Sequence, residues 1–168
     1  MSCVYGCSGT TCALCPVPRP SNLLPNPGFD GSVTPWATGI NYYSSFDFDS
    51  CANSGSYNID YEQDMGVCVP ATAGTRYYAT FKFRARAGES SLGYCGVYFN
   101  SQSNCMGTSF GTYIEVSVTS SAGAWVSAVP VSGLAPAGTM GMTFACTGSV
   151  GRGYYDKLYL GTSATDTF

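Results

Sequence analysis

The chain has 168 residues, enough for one domain with a core of its own, yet it carries 9 cysteines and only 10% charged residues, against a usual share of about 25%. Its net charge of −3, with Lys82 and Lys157 as the only lysines, leaves no basic stripe for a phosphate backbone, so nucleic acid is excluded as a partner. No apolar run approaches membrane-spanning length, and the apolar and aromatic content excludes a disordered chain.

Residues 1–20 stand apart as a cysteine- and proline-rich extension or arm. Cys3, Cys7, Cys12 and Cys15 fall close together and are followed by Pro16, Pro18 and Pro20. Four such cysteines form a small staple, and the x-Pro repeat favours an extended exit. Cys12-x-x-Cys15 also has the spacing of two zinc ligands, but the chain has no histidine and its cysteine usage fits an oxidising compartment, which implies a secreted or cell-surface protein. Residues 1–14 lack the basic-then-apolar pattern of a secretion signal.

From residue 21 to residue 168 the pattern is that of strands. Short candidates occur at 23–24, 40–48 and 56–61. The clearest strand is 77–87, where Tyr77, Ala79, Phe81, Phe83 and Ala85 alternate with Tyr78, Thr80, Lys82, Arg84 and Arg86, the period of two that marks one buried side. Strands follow at 94–100, at 112–119 with Ile114, Val116 and Val118 inward, at 125–131, at 139–146 with Met140, Met142, Phe144 and Cys146 on one side, and at 154–160. No helical stripe survives the glycine and serine content. Eight to ten short strands with regular turns predict an all-β sandwich or barrel, with a jelly-roll sandwich of two antiparallel sheets as the expected class.

Spacing suggests disulfides between Cys51 and Cys68, which bracket a strand and its return, and between Cys95 and Cys105 across a hairpin. Cys146 shares the inward face of its strand; it reads as a free core thiol, with Cys95 or the N-terminal cluster as alternative partners. Without histidine, Ser-His-Asp and Cys-His catalysis are absent. The acidic pairs, such as Asp47 with Asp49, read as solvated faces or a cation rim rather than as a glycosidase pair, so no catalytic residue is assigned.

The segment Asn22-Leu-Leu-Pro-Asn-Pro-Gly-Phe-Asp30, followed by Pro35-Trp36, resembles the opening of the carbohydrate-binding modules of families 4, 9 and 22. Val69–Tyr77 before the long strand, Trp125 before Ala135-Pro-Ala-Gly138, and the closing Tyr155-Asp-Lys-Leu-Tyr-Leu160 fit the same plan in order. The resemblance covers about residues 22–161. It implies a galactose-binding-like jelly roll, here in a cysteine-rich variant that also looks like bacterial surface proteins. It implies a structural Ca²⁺ held by Asp30 and Asp156, with Tyr155 at the place of the usual first Asp of the closing motif. It also implies a sugar site of aromatic and polar residues on the concave sheet, for which the outward positions Tyr78, Lys82, Arg84, Tyr94, Tyr98 and Asn100 are the candidates, with Tyr113 and Glu115 beside them. Trp36 and Trp125 fall at family positions that usually pack in the core. The expected function is a non-catalytic, extracellular module binding a polysaccharide or surface glycan. The rival is a structural subunit whose arm joins copies of the chain into a filament or layer, by adding a strand to a neighbour's sheet edge.

Overall fold

The computed structural model describes residues 7–8, 11–12, 21–36, 42–43, 46–49, 54–60, 63–148 and 152–165. Twelve strands are seen there and no α-helix: β1 (Cys7–Ser8), β2 (Thr11–Cys12), β3 (Tyr42–Tyr43), β4 (Ser56–Ile59), β5 (Asp64–Pro70), β6 (Arg76–Ala85), β7 (Ser90–Asn100), β8 (Ser109–Ser121), β9 (Trp125–Ser127), β10 (Val131–Leu134), β11 (Gly141–Thr147) and β12 (Gly153–Gly161). β1 and β2 pair with each other; Cys3, Cys15 and Cys51, and most of the expected arm, lie outside the described residues. No described helix is long and apolar enough to cross a membrane.

The remaining strands form two antiparallel sheets. One runs β10–β6–β12–β4–β3, with β9 also paired to β6; the other runs β5–β11–β7–β8. Alternation sends one side of each strand inward, so Phe81, Phe83 and Tyr155 of the first sheet meet Val97, Phe99, Ile114, Val116, Met142 and Phe144 of the second, all buried. Phe83 fits because two glycines clear its path: a methyl group on Gly93 of β7 would lie 2.5 Å from its ring, and one on Gly153 of β12 2.7 Å. The Tyr155 hydroxyl crosses the core and accepts the Tyr94 N–H at 3.0 Å.

The opening segment is bolted to the last strand. Asn22 donates to the Leu158 carbonyl and accepts the Leu160 N–H, while Leu23 donates to Leu160 and Leu158 to Pro27 along the backbone. Asn26 donates to the carbonyls of Ser32 and Thr34 and accepts the Asp30 N–H. These bonds close a loop that drives Phe29 and Trp36 into the core, where Trp36 donates its indole N–H to the Pro25 carbonyl at 2.8 Å.

Several expectations need correction. β5 was not foreseen, the expected strand over 40–48 is confined to Tyr42–Tyr43 among the described residues, and Met140 is exposed because β11 starts one residue later. The disulfides join Cys68 to Cys105 and Cys95 to Cys146. A Cys95–Cys105 staple is impossible because Cys95 points into the core, directly opposite Cys146 on β11, whereas Cys105 sits in a loop folded over the outer side of the sheet. That loop brings Cys105 to Cys68 on the outer side of β5, which takes Cys68 away from Cys51. Cys146 is therefore bonded rather than free.

Gly93→Ala should cost about 1–3 kcal/mol through the clash with Phe83. Gly111, whose added methyl meets nothing within 4 Å, should tolerate alanine to within about 0.5 kcal/mol. Urea unfolding of both variants checks this; equal midpoints would mean that the two sheets do not pack through Phe83.

Candidate functional site

The candidate sugar-site residues divide between two faces. β6 and β7 follow each other in sequence but belong to different sheets, so their outward side chains look in opposite directions. Tyr78, Lys82 and Arg84 lie on the outer side of the six-stranded sheet. Phe46–Asp49 crosses that side: Lys82 Nζ stands 4.3 Å over the Phe48 ring and donates to Ser127 at 2.6 Å, and Arg84 stands 4.8 Å over Phe46. Phe46 also packs on Tyr154, and Phe48 meets Trp125 edge-on. Lys82 and Arg84 thus hold a covering segment rather than form an open platform. Burial lowers the Lys82 ammonium from its ordinary value, partly offset by the charges of Asp49 and Asp156.

Tyr94 and Tyr98 lie on the outer side of the four-stranded sheet, where Tyr98 is exposed. Asn100 is buried at its end, donating to the Tyr98 carbonyl and to Thr143, and serves to close the strand. Strand register places Gly66, Ala145, Gly96 and Glu115 in one row across β5, β11, β7 and β8. The next row holds Cys68, Thr143, Tyr98 and Tyr113. Glycine at 96 lets the Tyr98 ring lie down on the sheet, because a methyl there would come within 3.0 Å of it. Tyr98 stacks beside Tyr113 with ring centroids 5.9 Å apart, and the two remain 37% and 49% exposed.

Glu115 organises this face. It accepts the Tyr94 hydroxyl at 2.7 Å and lies close enough to Tyr113 to raise that phenol. Burial and this hydrogen bond push the Tyr94 phenol well above its ordinary range, and Glu115 raises Tyr113 as well. Both phenols therefore stay protonated and donating. At the far side, loop 101–108 folds back over β11. The Cys68–Cys105 disulfide pins it, and Gly141 admits it, since a methyl there would lie 2.5 Å from the Gln102 carbonyl. The result is a shelf with a small-residue floor, tyrosine rings on β7 and β8, and a pinned loop beyond. None of β5, β7, β8 and β11 contains Lys or Arg. Sequence alternation indicated the tyrosines and Glu115; the floor of Gly66 and Ala145, and Gly96 beneath the Tyr98 ring, were missed, because small residues on a strand carry no signal until register aligns them.

Asp30 and Asp156 do approach each other. Asp156 is fully buried, its carboxylate accepting the N–H groups of Phe48 at 2.9 Å and Lys157 at 2.6 Å, while Asp30 is exposed. Both carboxylates lie beside Gly28, together with the Lys157 ammonium. Burial pushes the Asp156 carboxyl up to about 8, against the pull of those N–H groups and of the Lys157 charge. Burial alone would lower Lys157, but Asp49 and its acidic neighbours leave it above its ordinary value.

No family profile matches the chain, and no curated protein does. Among solved structures, the enzymatically active domain of bacteriophage CBA120 tailspike protein 4 is similar at 13% identity over 85% of this chain, with a TM-score of 0.61. The N-terminal CBM22-1–GH10 modules of Clostridium thermocellum endo-1,4-β-D-xylanase 10B, solved with xylohexaose, are similar at 16% identity over 81% of the chain, with a TM-score of 0.52. A CBM61 module solved with β-1,4-galactotriose is 19% identical over 84% of this chain and 99% of its own, with a TM-score of 0.47. The chain spans about a fifth of the tailspike chain and about a quarter of the xylanase chain. What this protein shares with the tailspike domain and the xylanase modules is the fold, a sandwich of two antiparallel sheets.

Proposed function

We propose that this chain is a non-catalytic, extracellular module that binds a neutral polysaccharide along the outer face of β5, β11, β7 and β8. The observation that carries the reading is the shelf itself: exposed, stacked Tyr98 and Tyr113 beside a flat floor, with Glu115 held between Tyr94 and Tyr113. A pyranose offers an apolar C–H face and a rim of hydroxyls. Aromatic rings take the first, and a carboxylate with spare lone pairs accepts from the second. The lack of Lys and Arg on these strands disfavours acidic glycans, since nothing there would compensate a uronate or sulfate. The two disulfides among the described residues suit an oxidising, extracellular compartment. The xylanase chain, about a quarter of which shares this fold, was solved with a neutral glycan, xylohexaose, in line with this class of ligand.

Retention in gels containing soluble xylan, galactan or β-glucan tests the reading. At least one should retard the protein, and Tyr98→Ala or Tyr94→Ala should weaken that binding about tenfold, the worth of one lost ring contact. Lys82→Ala, on the covered opposite face, should change it less than about twofold. Unretarded migration in every polysaccharide, or undiminished binding by Tyr98→Ala, would refute it.

The raised phenols set a pH dependence. A phenol whose pKa is raised keeps its donating, neutral form to higher pH, so binding should stay level from about pH 7 to about pH 10 in the wild type. In Glu115→Gln the phenolate absorbance should appear at lower pH, as Tyr94 and Tyr113 lose the carboxylate that raises them. Unchanged titration in that variant would separate Glu115 from the tyrosines.

A further inference from the structure

β12 carries one extra residue against β6. Asp156 stands opposite Lys82 and Tyr159 opposite Thr80, so three steps on one strand match two on the other, and Lys157 in the bulge has a φ of +48°. In a regular strand, Asp156 and Lys157 would point to opposite faces. The bulge re-aims Lys157 so that both side chains reach the same side, beside Gly28.

A methyl group on Gly28 would lie 3.6 Å from Lys157 Nζ, 3.8 Å from Asp30 Oδ1 and 3.9 Å from Asp156 Oδ1. One methyl-sized space therefore separates the ammonium from the two carboxylates to which the resemblance assigns a calcium ion. Lys157 Nζ also meets Asp49 Oδ2 at 2.5 Å, with both side chains less than a fifth exposed. Asp47 stands at the edge, accepting the Ser54 hydroxyl at 2.8 Å; that hydroxyl also lies 3.1 Å from the Gly28 carbonyl.

This arrangement does not fit a calcium cage. Ca²⁺ takes six to eight oxygens at about 2.3–2.6 Å. Here Asp49 faces an ammonium as an ion pair, its Oδ2 buried without a hydrogen bond, and each Asp156 oxygen already accepts a backbone N–H. Among the described residues no three acidic side chains converge on one point. A divalent ion beside Gly28 would also stand against the lysine's own charge.

We propose that the Lys157 ammonium is the structural cation of this domain, replacing the divalent ion that the resemblance implies and freeing the fold from calcium. A tethered cation pairs with the buried Asp49 carboxylate without a ligand to lose. It also joins the crossing segment at Asp49 to the last strand, close beside Gly28 of the opening segment.

Thermal unfolding of the full chain in calcium chloride and in EDTA, with calorimetric titration of calcium, tests this. The wild type should melt at the same temperature in both and bind no calcium. Lys157→Met should lower Tm by roughly 6–12 °C, as expected when a buried pair loses one partner. Asp49→Asn, which leaves the lysine in place, should cause a smaller drop and remain indifferent to calcium. Stoichiometric calcium binding that raises the wild-type Tm would overturn the proposal, whether or not Lys157→Met folds. So would a Lys157→Met protein as stable as the wild type.

Discussion

Four residues, Arg86 to Glu89, carry the chain from β6 in one sheet to β7 in the other. The turn is closed by the Glu89 N–H on the Arg86 carbonyl, with Gly88 at a φ of +79°. Two long strands adjacent in sequence therefore face each other across the core instead of pairing edge to edge. Their inner sides supply Phe81, Phe83, Val97 and Phe99, and their outer sides look away from each other. Which residues can act together follows from that crossing: Lys82 and Arg84 belong with the covering segment 46–49, and Tyr94 and Tyr98 with the tyrosine shelf.

The inner half of this arrangement was legible in the sequence. Along β6 the apolar and polar residues alternate, because one side packs in the core and the other lies under the crossing segment. The same contrast located β7, β8 and β11. β5 escaped notice because Gly66, Cys68 and Pro70 interrupt the contrast on its outer side. Periodicity assigns a residue to a side of its strand but never to a sheet, so outward residues of β6 and β7 were grouped into one platform that the fold divides. The disulfides failed similarly. Nearness in sequence favoured Cys95 with Cys105, yet the inner position of Cys95 and the register of β7 against β11 decide for Cys146.

The opening motif was readable for a different reason. Asn22 and Asn26 each make several backbone hydrogen bonds that no other side chain of their size can duplicate, and Phe29 and Trp36 fill the space those bonds define. The motif is thus a record of how the first segment closes on the last strand, and it speaks to fold rather than to ligand. The setting of Lys157 beside that motif is invisible in one dimension: a single-residue bulge turns it toward acids it would otherwise face away from.

The central claim is that glycan binding belongs to the outer side of the four-stranded sheet. Backbone NMR of the labelled protein titrated with xylohexaose and with a β-1,4-galactan oligosaccharide tests it most directly. The account predicts shifts along the row of Gly66, Ala145, Gly96 and Glu115 and at Tyr98 and Tyr113, with Tyr78, Lys82 and Arg84 unmoved. Shifts confined to the β6 face, or to loops remote from both sheets, would contradict it.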